Sequence, residues 1–473
     1  MASLGPTLSC TISRLNLLVE LSHNQHTIRI FRALSCNSRP QKLFYHRRLF
    51  TSSFSSANFK SSTSNCSKTL GSNHVFNDNL VVLGIETSCD DTAAAVVRGN
   101  GEILSQVVSS QADLLERYGG VAPKMAEEAH SQVIDQVVQD ALDKANLTEA
   151  DLSAVAVTIG PGLSLCLRVG VQKARKVAAT YQLPIVNVHH MEAHTLVARL
   201  CDRDLQFPFM ALLISGGHNL LVLAHDLGHY LQLGTTIDDA IGEAYDKSAK
   251  WLGLDLRKSG GPAIEELARQ GDAQSVKFSV PMKQHKDCNF SYAGLKTQVK
   301  LAIESKNIDA GIPFSSASMD DQRLRADIAA SFQRVAVLHL EEKCERAIQW
   351  ALEIEPSIKH LVVSGGVASN QYVRARLNEV VARNSLQLVC PPPSLCTDNG
   401  VMIAWTGIEN FRLGRFDPPP PAIEPEDCQL DLRPRWPLGE EYSRGRSIAR
   451  SMRTARIHPS LTALTQASEY QSS

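Results

Sequence analysis

Two histidines four residues apart offer the clearest chemistry in this sequence. His190 and His194 follow an apolar run, residues 184–188, that predicts a strand, and the residues after His190 favour a helix. Side chains four positions apart lie on the same face of a helix, so the two imidazoles can share one metal ion. An isolated pair at this spacing more often caps or packs a helix, so the interpretation depends on a third ligand.

The best candidate for a third ligand is a carboxylate far along the chain. Asp398 lies in the polar turn 396–400, between a predicted strand at residues 386–390 and an apolar predicted helix. Two imidazoles and one carboxylate accept iron, zinc and other divalent metals. We therefore expect one divalent metal ion per subunit, bound by His190, His194 and Asp398.

The order of residues around the histidine pair disfavours a zinc-protease mechanism. Such a protease carries a glutamate directly after its first histidine, where the carboxylate reaches the water that the metal activates. In this chain Met191 follows His190, and Glu192 comes two positions after His190, about 200° around the helix. Glu192 is therefore expected to point away from the metal.

Four turns of small residues at predicted strand ends indicate a nucleotide-binding cleft. A strand-turn-strand pattern occurs at residues 79–98 and again at 209–225, which indicates a duplicated lobe. Backbone N–H groups in such turns can bind phosphate oxygens. Neither a Walker A motif nor G-x-G-x-x-G is present, which disfavours P-loop and Rossmann folds. The turns comprise residues 86–92, 160–162, 215–218 and 363–370.

The N-terminal residues 1–75 differ in composition from the rest of the chain. They contain one acidic residue, Glu20, against nine lysines and arginines, and they are rich in serine. This composition is typical of an organelle transit peptide, which is removed after import. We expect a disordered peptide that targets the mitochondrial matrix, with residues 47–52 resembling a processing site. A plastid destination and an ordinary disordered tail are the alternatives.

The remaining chain is acidic. Residues 76–437 carry a formal net charge of −11, whereas residues 1–75 carry +8 and residues 438–473 carry +2. An acidic body binds nucleic acid only through a local basic patch or a partner. One candidate patch surrounds the aromatic residues Phe290 and Tyr292, on which an unpaired RNA base could stack; a solvated charged surface is the commoner explanation of such a run and is the alternative. Its basic members are Lys283, His285, Lys286, Lys296 and Lys300.

The size of the body and its cysteines narrow the class of protein. About 360 residues are too many for one hydrophobic core and favour two domains. The cysteines after residue 75 show no C-x-x-C spacing and no regular framework. We therefore expect reduced thiols and no disulfides.

Eight motifs lie in order along the chain. They occupy residues 83–90, 118–123, 160–163, 190–194, 214–218, 290–297, 364–368 and 396–400. With these motifs the sequence resembles the universal tRNA threonylcarbamoyladenosine transferases, formerly named O-sialoglycoprotein endopeptidases, and specifically their mitochondrial branch. The resemblance covers about residues 79–438.

The resemblance implies an α/β fold of the actin-like, Hsp70-like ATPase class, with two duplicated lobes around a nucleotide cleft. Lobe I is expected at residues 79–205 and lobe II at 206–399. A C-terminal return to lobe I is expected at 400–438, followed by a basic, disordered tail at 439–473. A homodimer and the absence of a membrane span are also expected.

The resemblance also implies a reaction. Members of the family transfer the threonylcarbamoyl group from threonylcarbamoyl-AMP to N6 of adenosine 37, in the anticodon stem-loop of tRNAs that read codons beginning with A. The metal ligands correspond to His190, His194 and Asp398. Asp90 and Asp91 are candidate catalytic residues, although the family usually has glutamate at position 91. Substrate-binding residues correspond to Leu213, Ile214, Ser215, Gly216, Gly217, Asp246, Gly261, Glu265, Ser369 and Asn370.

Two other functions of the same fold class remain open. An ATP-dependent phosphotransferase of the sugar-kinase type shares the phosphate-binding turns but gives no reason for two metal-binding histidines. A nucleotide-gated interaction protein like Hsp70 is expected to carry a substrate-binding domain after residue 438.

Overall fold

The computed structural model of this chain describes residues 79–111, 122–256, 259–422 and 429–445. The predicted transit peptide at residues 1–75, most of the motif at 118–123 and the tail beyond residue 445 lie outside the described residues. No helix within the described residues combines the length and the apolar character that a membrane span requires.

The described residues form eleven strands and ten α-helices, numbered in chain order. The strands are β1 Val81–Glu86, β2 Asp91–Arg98, β3 Ile103–Ser110, β4 Ala154–Gly160, β5 Ile185–His189, β6 Phe209–Ile214, β7 Asn219–Asp226, β8 His229–Thr235, β9 His360–Ser364, β10 Gln387–Val389 and β11 Glu440–Glu441. The helices are α1 Pro123–Ala145, α2 Ser164–Tyr181, α3 His190–Cys201, α4 Ile241–Trp251, α5 Gly260–Ala268, α6 Ala293–Ser305, α7 Met319–Ile354, α8 Gln371–Arg383, α9 Pro393–Cys396 and α10 Gly400–Arg412.

The two sheets repeat one topology. In the first sheet the order is β3-β2-β1-β4-β5, and β1 pairs antiparallel with β2 and parallel with β4. In the second the order is β10-β9-β6-β7-β8-β11, and β6 pairs antiparallel with β7 and parallel with β9. The strand-turn-strand repeat in the sequence therefore corresponds to two lobes of the same strand order. The predicted α/β, actin-like fold class with duplicated lobes is confirmed.

The central strands of the first sheet are buried on both faces. All six residues of β1 are buried, which explains why residues 81–85 are continuously apolar rather than alternating with polar residues. Leu83 and Ile85 pack towards α1 and α2. Val82 packs on the other face with residues of α3 and α10. The helix that carries the histidine pair and the helix that follows Asp398 therefore cover the same face of one sheet.

Residues 439–445 belong to the second sheet. β11 pairs parallel with β8, and the ring of Tyr442 lies 5.6 Å from that of Trp350. The side-chain amide of Asn289 donates a hydrogen bond of 2.9 Å to the carbonyl of Gly445. The expected disorder from residue 439 therefore does not hold for residues 439–445, because strand pairing and an aromatic contact stabilise them.

Candidate metal centre and nucleotide cleft

The candidate metal centre begins where β5 runs directly into α3. His189 ends the strand and caps the helix, since its Nδ1 accepts hydrogen bonds from the backbone N–H groups of Met191 (3.1 Å) and Glu192 (3.4 Å). Its Nε2 donates to the carbonyl of Trp436 (3.0 Å). Burial lowers the pKa of His189 to about 4, so the ring is neutral and keeps this tautomer. The start of α3 is thereby held in one orientation.

The structure brings the three predicted metal ligands together. Asp398 Oδ1 lies 3.0 Å from Nε2 of His194 and 3.6 Å from Nε2 of His190. The two imidazole rings meet edge to face, with their centroids 4.7 Å apart. One possible ligand atom from each residue lies within 4.8 Å of the others. This is the grouping of donors that a divalent metal ion requires.

Asp398 is placed by the close approach of α10 to the first sheet. A Cβ built on Gly84 would lie 2.3 Å from the backbone nitrogen of Ala404, and one built on Gly400 would lie 2.4 Å from the backbone nitrogen of Ala95. Only glycine fits at both positions. The N-terminus of α10 therefore lies directly on β1 and β2, and the preceding turn holds Asp398 beside His194.

A buried glutamate at the end of β1 orients His190. Oε2 of Glu86 lies 3.1 Å from Nδ1 of His190 and accepts a hydrogen bond from Thr158 (2.5 Å). Its Oε1 accepts one from the backbone N–H of Ser88 (2.5 Å). A carboxylate on the second nitrogen of a metal-binding histidine holds the ring and strengthens the ligand. Our sequence reasoning missed this role of Glu86; the available signal was a carboxylate at the end of an entirely apolar strand.

Charges within the cluster favour a bound cation. Burial alone would lower the pKa of His190, but Asp398 and Glu86 outweigh burial and raise it to about 9. Burial would raise the pKa of both carboxyl groups, but the charge of His190 holds both below their usual values. His194 Nδ1 is buried with no hydrogen-bond partner among the described residues. Two ionised carboxylates beside two imidazoles fit a divalent metal ion.

Glu192 lies away from this cluster, as predicted. Its Oε1 accepts hydrogen bonds from the hydroxyl of Tyr230 (2.8 Å) and from the backbone N–H of Gly228 (3.0 Å). Burial raises the pKa of Glu192. Its carboxylate is therefore hydrogen-bonded at the β7–β8 turn, and Glu192 cannot act as the general base of a zinc protease.

The glycine turn after β6 is open to a ligand. Leu213 and Ile214 are buried within the strand, whereas Gly216 and Gly217 are exposed. A Cβ built on either glycine meets nothing within 4 Å. The carbonyl groups of Ser215 and Gly216 accept hydrogen bonds from the first turn of α4, which holds the turn in place. Free space beside an ordered main chain is what backbone recognition of a phosphate needs.

A second glycine turn, after β9, packs against the first. Gly365 has a φ of +97°, and a Cβ at this position would lie 2.4 Å from the carbonyl oxygen of Ile214. A Cβ built on Gly366 would lie 3.9 Å from the side chain of Thr397, the residue before Asp398. The two glycine turns and the candidate metal ligand Asp398 therefore occupy adjoining positions.

Ser369 and Asn370 follow this second turn and begin α8. Asn370 caps the helix, and its Nδ2 donates to Oε1 of Gln333 (3.1 Å). Oε1 of Glu265 accepts the backbone N–H of Gln371 (2.9 Å). Glu265, Gln333 and Gln371 line a cavity of about 420 Å³. The sequence analysis did not identify Gln333, which lies in the middle of the long helix α7.

Asp246 contacts Gly260 at the start of α5, and Gly261 is the next residue of that helix. Oδ1 of Asp246 accepts a hydrogen bond from the backbone N–H of Gly260 (2.8 Å), and burial raises the pKa of Asp246. A Cβ built on Gly261 meets nothing within 4 Å. Asp246 therefore stabilises the start of α5, beside a surface that is open at Gly261.

Asp90 lies in the turn between β1 and β2, and Asp91 is the first residue of β2. Burial raises the pKa of both carboxyl groups, and burial together with the charge of Asp90 brings the pKa of Asp91 to about 7. The charge of Asp398 also raises both values, so the pair lies within electrostatic reach of the metal ligands. Oδ1 of Asp91 is buried without a hydrogen-bond partner among the described residues. A carboxyl group with a pKa near 7 is suited to proton transfer.

The predicted aromatic shelf for RNA beside Lys296 was wrong. Phe290 and Tyr292 are 0% exposed and belong to the core of the second lobe, so neither ring can receive a base. Nζ of Lys296 forms an ion pair of 2.6 Å with Asp239. Proximity in the sequence was misleading here, because the rings point inward while the neighbouring lysines point outward.

A family model and three relatives resemble this chain. The model, described as TsaD: tRNA N6-adenosine threonylcarbamoyltransferase, matches residues 102–405. An Arabidopsis thaliana protein named probable tRNA N6-adenosine threonylcarbamoyltransferase, mitochondrial, is 70% identical over 100% of this chain and 99% of that protein. The mitochondrial tRNA N6-adenosine threonylcarbamoyltransferase of Xenopus tropicalis is 44% identical over 71% of this chain and 83% of that protein. The tRNA N6-adenosine threonylcarbamoyltransferase of Rhizobium etli (strain CIAT 652) is 44% identical over 77% and 95%.

Proposed function

The chain belongs to the tRNA N6-adenosine threonylcarbamoyltransferase family, and we propose that it modifies adenosine 37 of tRNAs that read codons beginning with A. Membership rests on the match over residues 102–405 and on 70% identity across the whole chain. The predicted family and its transferase activity on tRNA are thereby confirmed. In our proposal the donor is threonylcarbamoyl-AMP and the site of action is the mitochondrial matrix.

The proposed function rests on one observation: His190, His194 and Asp398 lie together beside two glycine turns. A sugar kinase needs the turns but has no use for this ligand cluster. The three residues would hold one divalent ion, iron or zinc, which supplies a Lewis acid for the oxygens of the donor when bound. Glu86 would hold His190 in the tautomer that exposes Nε2 to the ion.

The remaining residues bind and orient the two substrates. We assign the donor's adenylate to the main chain at residues 213–217 and to Ser369 and Asn370, at the N-terminus of α8. Glu265 and Asp246 are assigned to the ribose hydroxyl groups. A backbone N–H group at a nearby helix start donates to one oxygen of each carboxylate and so holds that side chain in place.

The transfer itself needs positioning more than base strength. N6 of the adenosine attacks the carbamoyl carbon, the bond from that carbon to the phosphate oxygen breaks, and AMP leaves. The attacking amine loses a proton during this step. Asp91, with a pKa of about 7, is our candidate to receive this proton, and the charge of Asp90 helps to raise the pKa of Asp91.

One reaction tests the proposal. Purified protein is incubated with unmodified tRNA and threonylcarbamoyl-AMP, and the nucleosides of the digested tRNA are analysed by mass spectrometry. We expect threonylcarbamoyladenosine at position 37 of tRNAs that read codons beginning with A, and release of AMP. Release of AMP without modified tRNA, or phosphorylation of a sugar with ATP, would overturn the proposal.

Two further parts of the proposal concern assembly and location. We propose a homodimer, which sedimentation analysis of the purified protein can test against a monomer. We also propose that residues 1–75 direct import into mitochondria, consistent with the names of the Arabidopsis and Xenopus relatives. A fluorescent reporter fused after residue 75 should label mitochondria. Plastid labelling would indicate import into plastids instead, and a diffuse cytosolic signal would contradict import.

A further inference from the structure

A planar arginine beside the candidate metal centre has no role in the chemistry above. Arg433 forms two parallel hydrogen bonds with Asp431, from Nε to Oδ1 (3.1 Å) and from Nη2 to Oδ2 (2.7 Å). Its guanidinium carbon lies 4.6 Å from the centroid of the Trp436 ring. The carboxylate holds one edge of the guanidinium group and the indole covers one face. We call Asp431, Arg433 and Trp436 the arginine platform.

The platform opens onto a cavity. The side chain of Arg433 is 46% exposed, although its edge and one face are engaged. A shallow, open surface pocket of about 490 Å³ lies against it. The lining residues are Ser164, Leu432, Arg433, Pro434, Arg435 and Trp436.

The platform contacts the segment that carries two of the candidate metal ligands. The ring of His189 lies 4.5 Å from that of Trp436, and His189 is the residue before His190. On the other side, the backbone N–H of Gly162 donates to the carbonyl of Pro434 (3.2 Å). The platform therefore packs against the start of α3, the helix that carries both candidate histidines, and against the turn at residues 160–162.

The chemistry of the platform selects a flat, neutral ring over a phosphate. Asp431 compensates the charge of Arg433, so a phosphate would gain little from the arginine and would be repelled by the carboxylate. A guanidinium plane held in one orientation stacks well on an unpaired nucleobase. The platform also lies on an acidic body, which cannot attract RNA by net charge alone.

Given the proposed tRNA substrate, on which this inference rests, we propose that the arginine platform stacks an unpaired anticodon-loop base that neighbours the target adenosine. The stacked base would hold the loop so that the adenosine faces the donor. Arg433 is thus a substrate-positioning residue and takes no part in the bond-forming step.

Fluorescent RNA tests this role directly. An anticodon stem-loop with 2-aminopurine beside the target adenosine is titrated with the full-length chain, once for each neighbouring position. Stacking should quench the probe at one position. Arg433→Lys keeps the positive charge but removes the planar guanidinium group. The quenching of 2-aminopurine fluorescence should therefore be lost, and Kd for the stem-loop should rise about tenfold. The control is Arg444→Lys, an exposed arginine that also pairs with a carboxylate, Glu353 (2.6 Å), and it should behave as wild type.

A second variant separates base stacking from phosphate binding. Asp431→Asn frees the guanidinium group and adds one positive charge to the surface. If Arg433 stacks a base, this variant should bind RNA more weakly, with an unchanged dependence on salt. Tighter binding with a steeper salt dependence would instead assign Arg433 to a phosphate and overturn the proposal.

Steady-state kinetics distinguish failure of this inference from failure of the proposed function. In Arg433→Lys we expect KM for tRNA to rise about tenfold, with kcat and KM for threonylcarbamoyl-AMP unchanged. If wild-type protein forms threonylcarbamoyladenosine and Arg433→Lys shows the same KM for tRNA, only the platform is refuted. If wild-type protein forms none, the proposed function itself has failed.

Discussion

Replacing Glu86 by glutamine should weaken metal binding without changing any proposed metal ligand. In the native protein Oε1 of Glu86 accepts the backbone N–H of Ser88, and Oε2 faces Thr158 and Nδ1 of His190. A glutamine must keep its oxygen at Ser88, since turning the amide would bring two donors together. Its NH₂ group then faces Nδ1 of His190, which must become an acceptor.

This reversal moves a proton onto the nitrogen that the metal needs. When Nδ1 of His190 accepts a hydrogen bond, the neutral ring carries its proton on Nε2, the atom 3.6 Å from Asp398. Loss of a carboxylate behind a metal-binding histidine typically weakens metal affinity by about 10- to 100-fold. We therefore expect Glu86→Gln to cost about 1.4–2.8 kcal/mol of binding free energy.

The assay is a competition titration of the purified protein with a chelator of known affinity, for iron and for zinc. Glu192→Gln is the matched control, because Glu192 is also a buried glutamate but contacts Tyr230 and Gly228 instead of the histidines. It should retain wild-type metal affinity. A folded Glu86→Gln protein with wild-type metal affinity would refute the proposed role of Glu86, and an equal loss in both variants would point to a general loss of stability.

Three further predictions concern the ligands, the cleft and pH. Changing His190, His194 or Asp398 to alanine should lower metal content and tRNA modification together, as measured by elemental analysis and nucleoside mass spectrometry; full modification by a metal-free variant would contradict the site. Gly216→Val should leave thermal stability near wild type, because the added Cβ enters open space. It should weaken adenylate binding about tenfold or more, as measured by calorimetry; unchanged affinity would show that the adenylate does not bind at this turn. Because the pKa of Asp91 rises from 3.8 to about 7 on folding, the folded state keeps a proton that the unfolded state loses, and this group lowers stability as pH rises from about 4 to 7. Asp91→Asn should therefore gain Tm relative to wild type at pH 8 but not at pH 4, and an equal Tm difference at both pH values would refute the shifted pKa.

The local features of this protein could be read from its sequence. The strand-turn-strand pattern expected at residues 79–98 is formed by β1 and β2, because two short apolar runs on either side of a polar turn can both be buried in one sheet. The i, i+4 spacing of His190 and His194 was sufficient to place both rings on one face of α3 and Glu192 on another. The repeated strand-turn-strand pattern likewise indicated two lobes before any strand pairing was known.

Tertiary structure alone decided the features that depend on distant parts of the chain. The contacts of Glu86 with His190 and of His189 with Trp436 link elements that the sequence does not relate by spacing or period. Phe290 was predicted to lie at the surface but is buried, because its partners in the core come from distant parts of the chain. Periodicity specifies which side chains share a face, but the partner of that face is selected by packing against elements far away in the sequence. In this chain, such packing determines which carboxylate supports a candidate metal ligand and which aromatic ring packs against His189.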